Sequence, residues 1–183
     1  MRLFLLRHAV AAARDPRRYP KDLDRPLTRE GSRKMAQAAR GMKNLGLAFD
    51  LILTSPLARA RETARIVASG LRPRAPIKPL AALSPGGDPA AVTAAASSLS
   101  EVRRLLLVGH EPDLSRLAGF LVLGKDIGFP HEFKKGGICR IDFQGEVRPG
   151  EGRLMYLLPP KVLRACAPLR TGAAPPTDPE RSA

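Results

Sequence analysis

Tryptophan is absent, and two tyrosines and six phenylalanines leave only 4% of the 183 residues aromatic. A core so poor in rings must be built from aliphatic side chains, and the prevalence of Ala, Leu and Arg predicts a helix-rich one. Cysteine is nearly missing too. Cys139 and Cys166 show no metal-ligand spacing and no disulfide framework, which suits a reducing compartment and a structural role for both. No apolar stretch approaches the length of a membrane span, and the opening run Leu3 to Leu6 is too short for a signal-peptide core. The expectation is a cytoplasmic protein with no membrane partner that keeps its N-terminus.

Acidic residues are the other scarcity: 17 against 31 Lys and Arg give a net charge of +14. The excess is spread along the chain, and Arg29, Arg33, Lys34, Arg40 and Lys43 sit at helical surface spacing. It reads as a solvated basic surface that attracts acidic ligands and partners. A nucleic-acid-binding module is the competing use of that charge, but interleaved aromatics and any recognisable nucleic-acid motif are missing.

The length fits one domain, assigned to residues 1–167, able to bury roughly 70% of the surface its unfolded chain exposes. Pro168 to Ala183 mixes proline, small residues and charge, and is expected to be a disordered tail. There is no internal repeat.

Two short, fully apolar runs each end in a histidine: Leu3 to Leu6 precedes Arg7-His8, and Leu105 to Val108 precedes Gly109-His110. Runs of this kind read as buried parallel strands delivering polar side chains to one sheet edge, the edge where open α/β sheets bind ligands. A third run, Leu51-Ile52-Leu53, leads into Thr54-Ser55-Pro56-Leu57-Ala58-Arg59. There Ser55 is expected to cap a helix with Pro56 at its first position. Between the first strand and the first helix, residues 11 to 26 are rich in charge and proline, which is loop chemistry. Thr28 then caps a helix with Met35, Ala38, Ala39, Met42 and Leu45 as its apolar stripe and Gly46 as its stop. A short strand at 76–79, a helix at 88–99, a strand at 104–108 and a helix at 113–123 continue the alternation. Ile138 to Phe143 and Leu154 to Leu158 then read as a hairpin. The predicted class is α/β: a three-layer α/β/α sandwich on a mainly parallel sheet, with a C-terminal β-hairpin at the edge.

A neutral imidazole is a capable nucleophile towards phosphorus, and arginines match phosphoryl oxygens with permanently charged, bidentate donors. Guanidinium charge nearby disfavours imidazolium, so His8 is expected to stay unprotonated and ready to attack. Arg7, Arg59 and His110 supply the fixed donors that spread charge on a transferring phosphoryl group demands. The start of the second helix adds a positive dipole end in the same place. His131 has no such context and is read as structural. A zinc site from His8, His110 and a carboxylate is disfavoured, because the arginines repel a cation and no ligand pair is spaced for one. No metal or other cofactor is called for.

At this point the chain resembles the histidine phosphatases, the phosphoglycerate mutase-like superfamily. The matching segments are Leu5-Leu6-Arg7-His8-Ala9, Arg25-Pro26-Leu27-Thr28-Arg29-Glu30-Gly31, Ser55 through Ala64, and Val108-Gly109-His110-Glu111-Pro112. The resemblance implies that fold, with His8 as the transiently phosphorylated nucleophile and Arg7, Arg59 and His110 as the phosphate pocket. Arg25, inside a matching segment, joins the substrate-binding set. Within the superfamily the short length and the Arg-Pro-Leu-Thr and Gly-His-x-Pro segments look most like the SixA type, bacterial phosphohistidine phosphatases. The implied substrate is then a phosphorylated histidine-containing phosphotransfer protein.

Two departures qualify the match. The usual glycine after the catalytic histidine is Ala9, tolerable if its φ is negative. Many relatives carry an acidic general acid after the third strand, whereas Leu80 to Gly87 holds no carboxylate. Asp88 and Glu111 are the remaining candidates. General acid catalysis is typically worth ~100- to 10,000-fold when an alkoxide leaves, and matters less for imidazole. The gap favours phosphohistidine over a small phosphorylated substrate such as a sugar phosphate, nucleotide or phospholipid-derived ester. A non-catalytic phosphate-binding module is the remaining alternative.

Overall fold

The computed structural model describes residues 1–128 and 132–168. His131 and the tail from residue 169 onward lie outside the described residues. Six strands form one sheet: β1 (Arg2–Arg7), β2 (Leu51–Thr54), β3 (Ile77–Pro79), β4 (Arg104–Gly109), β5 (Ile138–Asp142) and β6 (Arg153–Leu158). Their order is β3-β2-β4-β1-β5-β6. The first four are mutually parallel, while β5 runs antiparallel to β1 and β6 antiparallel to β5. The expected hairpin therefore sits at the edge, with β6 outermost.

The side-chain alternation of β1 builds both faces of the core. Phe4 and Leu6 pack with α1 (Arg29–Asn44), α2 (Ala58–Gly70) and α5 (Pro160–Ala165) on one face. Leu3 and Leu5 pack with α3 (Pro89–Ser97) and α4 (Asp113–Leu123) on the other. Each fully buried aliphatic side chain stabilises this arrangement by roughly 1.5–3 kcal/mol, so β1, β2 and β4, buried on both faces, fix the strand ends firmly.

Several local expectations hold. Thr28 Oγ1 accepts from the Gly31 N–H at 2.9 Å as the α1 cap, and Gly46 comes after that helix with a φ of +71°. Three differ. Leu45 is the C-cap of α1 and 45% exposed, outside the apolar stripe. Ser55 and Pro56 precede α2, which begins at Ala58 after Leu57. Ser55 Oγ does accept the Leu57 N–H at 3.3 Å, but as a turn ahead of the helix. The short α5 lies beyond the expected elements, although Pro159-Pro160 is a helix-start signal; its Leu163 is buried against α1. Gly41 makes that contact possible, because a Cβ there would collide with the Leu163 carbonyl. Gly31 does the same for the loop after β1, admitting the Val10 carbonyl against α1.

Candidate active site

The C-terminal ends of β1, β4 and β2 meet at one edge. The His8 N–H bonds the Gly109 carbonyl at 3.1 Å and the Ser55 N–H bonds the Val108 carbonyl at 2.9 Å, which brings residues 8, 110 and 55 side by side. The two imidazole rings stand 5.0 Å apart between centroids, tilted by 56°. Both are buried, at 7% and 4% exposure.

His8 Nδ1 lies 2.7 Å from its neighbour's carbonyl, Ala9 O. A carbonyl only accepts, so the proton sits on Nδ1 and the Nε2 lone pair is left free. The ring's pKa is lowered to about 4, by burial above all and then by the charges of Arg59, Arg7 and Lys135, against the opposing pull of the Ala9 hydrogen bond. The neutral imidazole expected from the sequence is present, but desolvation outweighs the guanidiniums as its cause. Ala9 is tolerated as anticipated: no described non-glycine residue has a positive φ, and its N–H bonds Thr63 Oγ1 at 3.0 Å.

His110 Nε2 lies 2.9 Å from Ser55 Oγ. That hydroxyl already accepts from the Leu57 N–H, so its own proton is available for His110. A neutral ring that accepts at Nε2 carries its proton on Nδ1, which is buried and has no partner among the described residues. Burial, and then the charges of His8 and Arg59, lower the His110 pKa to about 3.

Arg59 projects from the first turn of α2 and is 4% exposed. Thr63 Oγ1 donates to the Arg59 carbonyl at 2.7 Å, linking that turn to the backbone behind His8. Arg7 Nη1 donates to the Phe133 carbonyl at 2.5 Å and pairs with Glu132 Oε1 at 2.7 Å. The Nε atoms of Arg7 and Arg59 are buried without a partner among the described residues. Two buried imidazoles and two guanidiniums with donors in hand make a receptor for a tetrahedral anion.

Arg25 stands next to this group rather than within it. Its Nε bonds Asp22 Oδ1 at 2.8 Å and its Nη1 bonds the Ala12 carbonyl at 2.9 Å. Asp88 Oδ1 caps α3 by accepting the Ala90 N–H at 2.9 Å. Glu111 accepts from the Phe133 N–H at 2.7 Å and the Ser115 hydroxyl at 2.9 Å, which braces the segment that holds Arg7. The carboxylates actually lying on the pocket guanidiniums are two that sequence reasoning missed. Asp22 Oδ2 is 3.0 Å from Arg59 Nη2, and Glu132 rests on Arg7. Glu62 was also missed; it ties the loop down by accepting the Leu27 N–H at 2.8 Å. No cluster of His, Cys, Asp and Glu suited to a metal occurs among the described residues.

A concavity of about 680 Å³ lies elsewhere, lined at the opposite end of the strands by Met1, Arg2, Asp50, Arg103 and Arg104 among others. Asp50 already satisfies Arg104 there, and no histidine lines it.

Residues 3–84 match the family model for the histidine phosphatase superfamily, branch 1. An uncharacterised protein of Picosynechococcus is 39% identical over 141 residues, 75% of this chain and 82% of that one. The solved structure of the protein histidine phosphatase SixA complexed with tungstate is 27% identical. Its TM-score is 0.77, over 89% of this chain and 99% of that one. The alpha-ribazole phosphatase of Shigella flexneri shares the fold at 21% identity and a TM-score of 0.67, over 87% of this chain and 97% of that one.

Proposed function

Because the chain belongs to the histidine phosphatase superfamily, we propose that it hydrolyses a phosphoryl group through a phosphohistidine intermediate on His8, and that its substrate is a phosphohistidine on a protein. The observation that carries the intermediate is the Ala9 carbonyl on His8 Nδ1, which leaves Nε2 as an unprotonated nucleophile beside the buried Arg59 and the partly buried Arg7. The Nε2 lone pair attacks phosphorus in line, the bond to the leaving group breaks with its electron pair going to that group, and Arg7, Arg59 and His110 hold the equatorial oxygens. Water then cleaves the P–N bond of phospho-His8, releasing phosphate and restoring the neutral ring.

The choice of phosphohistidine rests on two supports. One is the similarity to the SixA structure over nearly the whole of both chains. The other is the employment of Asp88 and Glu111 by backbone N–H groups, which leaves an alkoxide leaving group without an evident proton donor. Arg17, Arg18 and Lys21 are exposed on the loop beside the pocket and would steer an acidic partner towards it. The test is to incubate the purified protein with a labelled, phosphorylated histidine-containing phosphotransfer protein beside a panel of sugar phosphates and nucleotides. Loss of label from the protein at the higher kcat/KM is expected; faster turnover of an ester would overturn the assignment.

Ser55 acts in this scheme through His110, as a positioning residue. Ser55→Ala should lower kcat/KM roughly tenfold, the worth of one buried hydrogen bond of about 1–1.5 kcal/mol. It should also let the His110 ring populate both neutral tautomers, visible in its ¹⁵N chemical shifts. Unchanged shifts together with unchanged kinetics would remove Ser55 from the machinery.

A further inference from the structure

Of the two carboxylates that lie on the pocket guanidiniums, the one on Arg59 comes from the loop after β1, not from the segment after β3. Asp22 begins a one-turn 3-10 helix, Asp22–Asp24. Its two oxygens hold two arginines, Oδ2 at 3.0 Å from Arg59 Nη2 and Oδ1 at 2.8 Å from Arg25 Nε. Its backbone carbonyl accepts from Arg59 Nη1 at 3.0 Å, so both the main chain and the side chain of Asp22 are anchored to the same guanidinium.

The side chain of Asp22 is 37% exposed and that of Arg59 4%, which puts the carboxylate on the solvent side of the guanidinium. His8 is buried at the floor. In-line displacement requires the leaving group opposite the nucleophile, hence at the mouth, on the side where Asp22 stands.

We propose that Asp22 is a specificity-determining residue of this site, whose carboxylate accepts a hydrogen bond from the far ring N–H of a substrate phosphohistidine. The inference rests on the phosphohistidine reading and names the group that recognises the leaving imidazole. A phosphoryl group on one ring nitrogen leaves the other free to hold a proton. With that proton in place the ring is cationic, and it departs as neutral imidazole: the P–N electron pair passes to the ring, His8 Nε2 forms the new P–N bond, and the far proton stays where it was. A carboxylate facing that N–H favours the cationic, labile form.

The same group disfavours esters. Burial pulls the Asp22 carboxyl upward, but hydrogen bonding from Arg25 and the charge of Arg59 prevail and hold it below the usual carboxylate range. It is an anion at neutral pH, with no proton to give an alkoxide and a charge that repels one. Glu132, the other carboxylate at the pocket, is 62% exposed and lies within 3.9 Å of Lys134 as well as on Arg7, so its position is shared with a surface cation.

N-phosphoimidazole carries the far nitrogen and 4-nitrophenyl phosphate does not. Both substrates are assayed on one preparation of each variant, so the ratio of their kcat/KM values is independent of how much protein is folded. Asp22→Asn should lower that ratio about tenfold to a hundredfold, the range for a lost charge-assisted hydrogen bond. Equal changes on both substrates would mean that Asp22 acts only through Arg59, and would overturn the proposal. So would a selective loss in Glu132→Gln with none in Asp22→Asn. Wild-type protein that hydrolyses the aryl ester but neither N-phosphoimidazole nor the phosphorylated phosphotransfer protein would mark failure of the phosphohistidine reading itself, and this inference would fall with it.

Discussion

His8→Ala is expected to abolish phosphoenzyme formation and to lower turnover by at least about 10,000-fold, the scale on which covalent catalysis fails when its nucleophile is removed. No other group at the site among the described residues can replace it. His110 is the only other imidazole there among the described residues, and its Nε2 is engaged by Ser55. The guanidiniums are permanently charged and have no lone pair to offer. The fold should survive, because neither hydrophobic cluster includes His8 and, among the described residues, its ring makes a single hydrogen bond, to the adjacent Ala9 carbonyl. Two measurements settle it together: trapping of acid-labile label on the protein after brief exposure to a labelled phosphoryl donor, and thermal melting monitored by circular dichroism. Wild-type turnover in a folded His8→Ala protein would refute the nucleophile assignment. Loss of the fold would show instead that His8 is a structural residue.

The strand ends were legible because of how buried parallel strands are written. Leu3 to Leu6 and Leu105 to Val108 are apolar at every position, since both faces of β1 and β4 are covered by helices, and the residues next in the chain must emerge at the sheet edge. That logic placed His8, His110 and Arg59 together without any contact being known. It could not place Asp22. In a loop that also carries Asp15, Asp24, Arg17, Arg18 and Lys21, nothing local marks one carboxylate as the partner of an arginine 37 positions later. Glu132 is hidden in the same way, 125 positions from Arg7. Ser55 was visible but misread: local rules know a serine before proline as a helix cap, whereas its hydroxyl is committed to a ring 55 positions away. The neutrality of His8 was foreseen from the guanidiniums alone and its larger cause, desolvation, was missed, because arginines can be counted in a sequence and burial cannot.

Those two desolvated rings should make the protein acid-sensitive in a window that ordinary carboxylates do not occupy. In the unfolded chain both histidines titrate near 6.5, and in the fold at about 4 for His8 and about 3 for His110. Above pH 6.5 the rings are neutral in both states and contribute nothing to the pH dependence. Between about 6.5 and 4 the unfolded chain binds protons that the folded chain refuses, so stability falls as the pH falls. The slope approaches two protons, about 2.7 kcal/mol per pH unit, and His8 alone accounts for roughly 3 kcal/mol by pH 4. Against a typical domain stability of about 5–15 kcal/mol this is a large share. Carboxylates held below their usual range by arginines, such as Asp22, Asp50 and Glu132, lose their stabilising charge only at still lower pH. The expected result is a denaturant midpoint that drops steeply from pH 6.5 to 4 in the wild type and loses about half of that slope in His8→Ala. The folded enzyme should meanwhile keep its activity well below pH 6.5, because a nucleophile that protonates near 4 is still neutral at pH 5. An acidic limb of kcat/KM centred near 6.5, or identical stability slopes in the two proteins, would mean that the His8 ring is solvated, and the proposed route to an unprotonated nucleophile would be wrong.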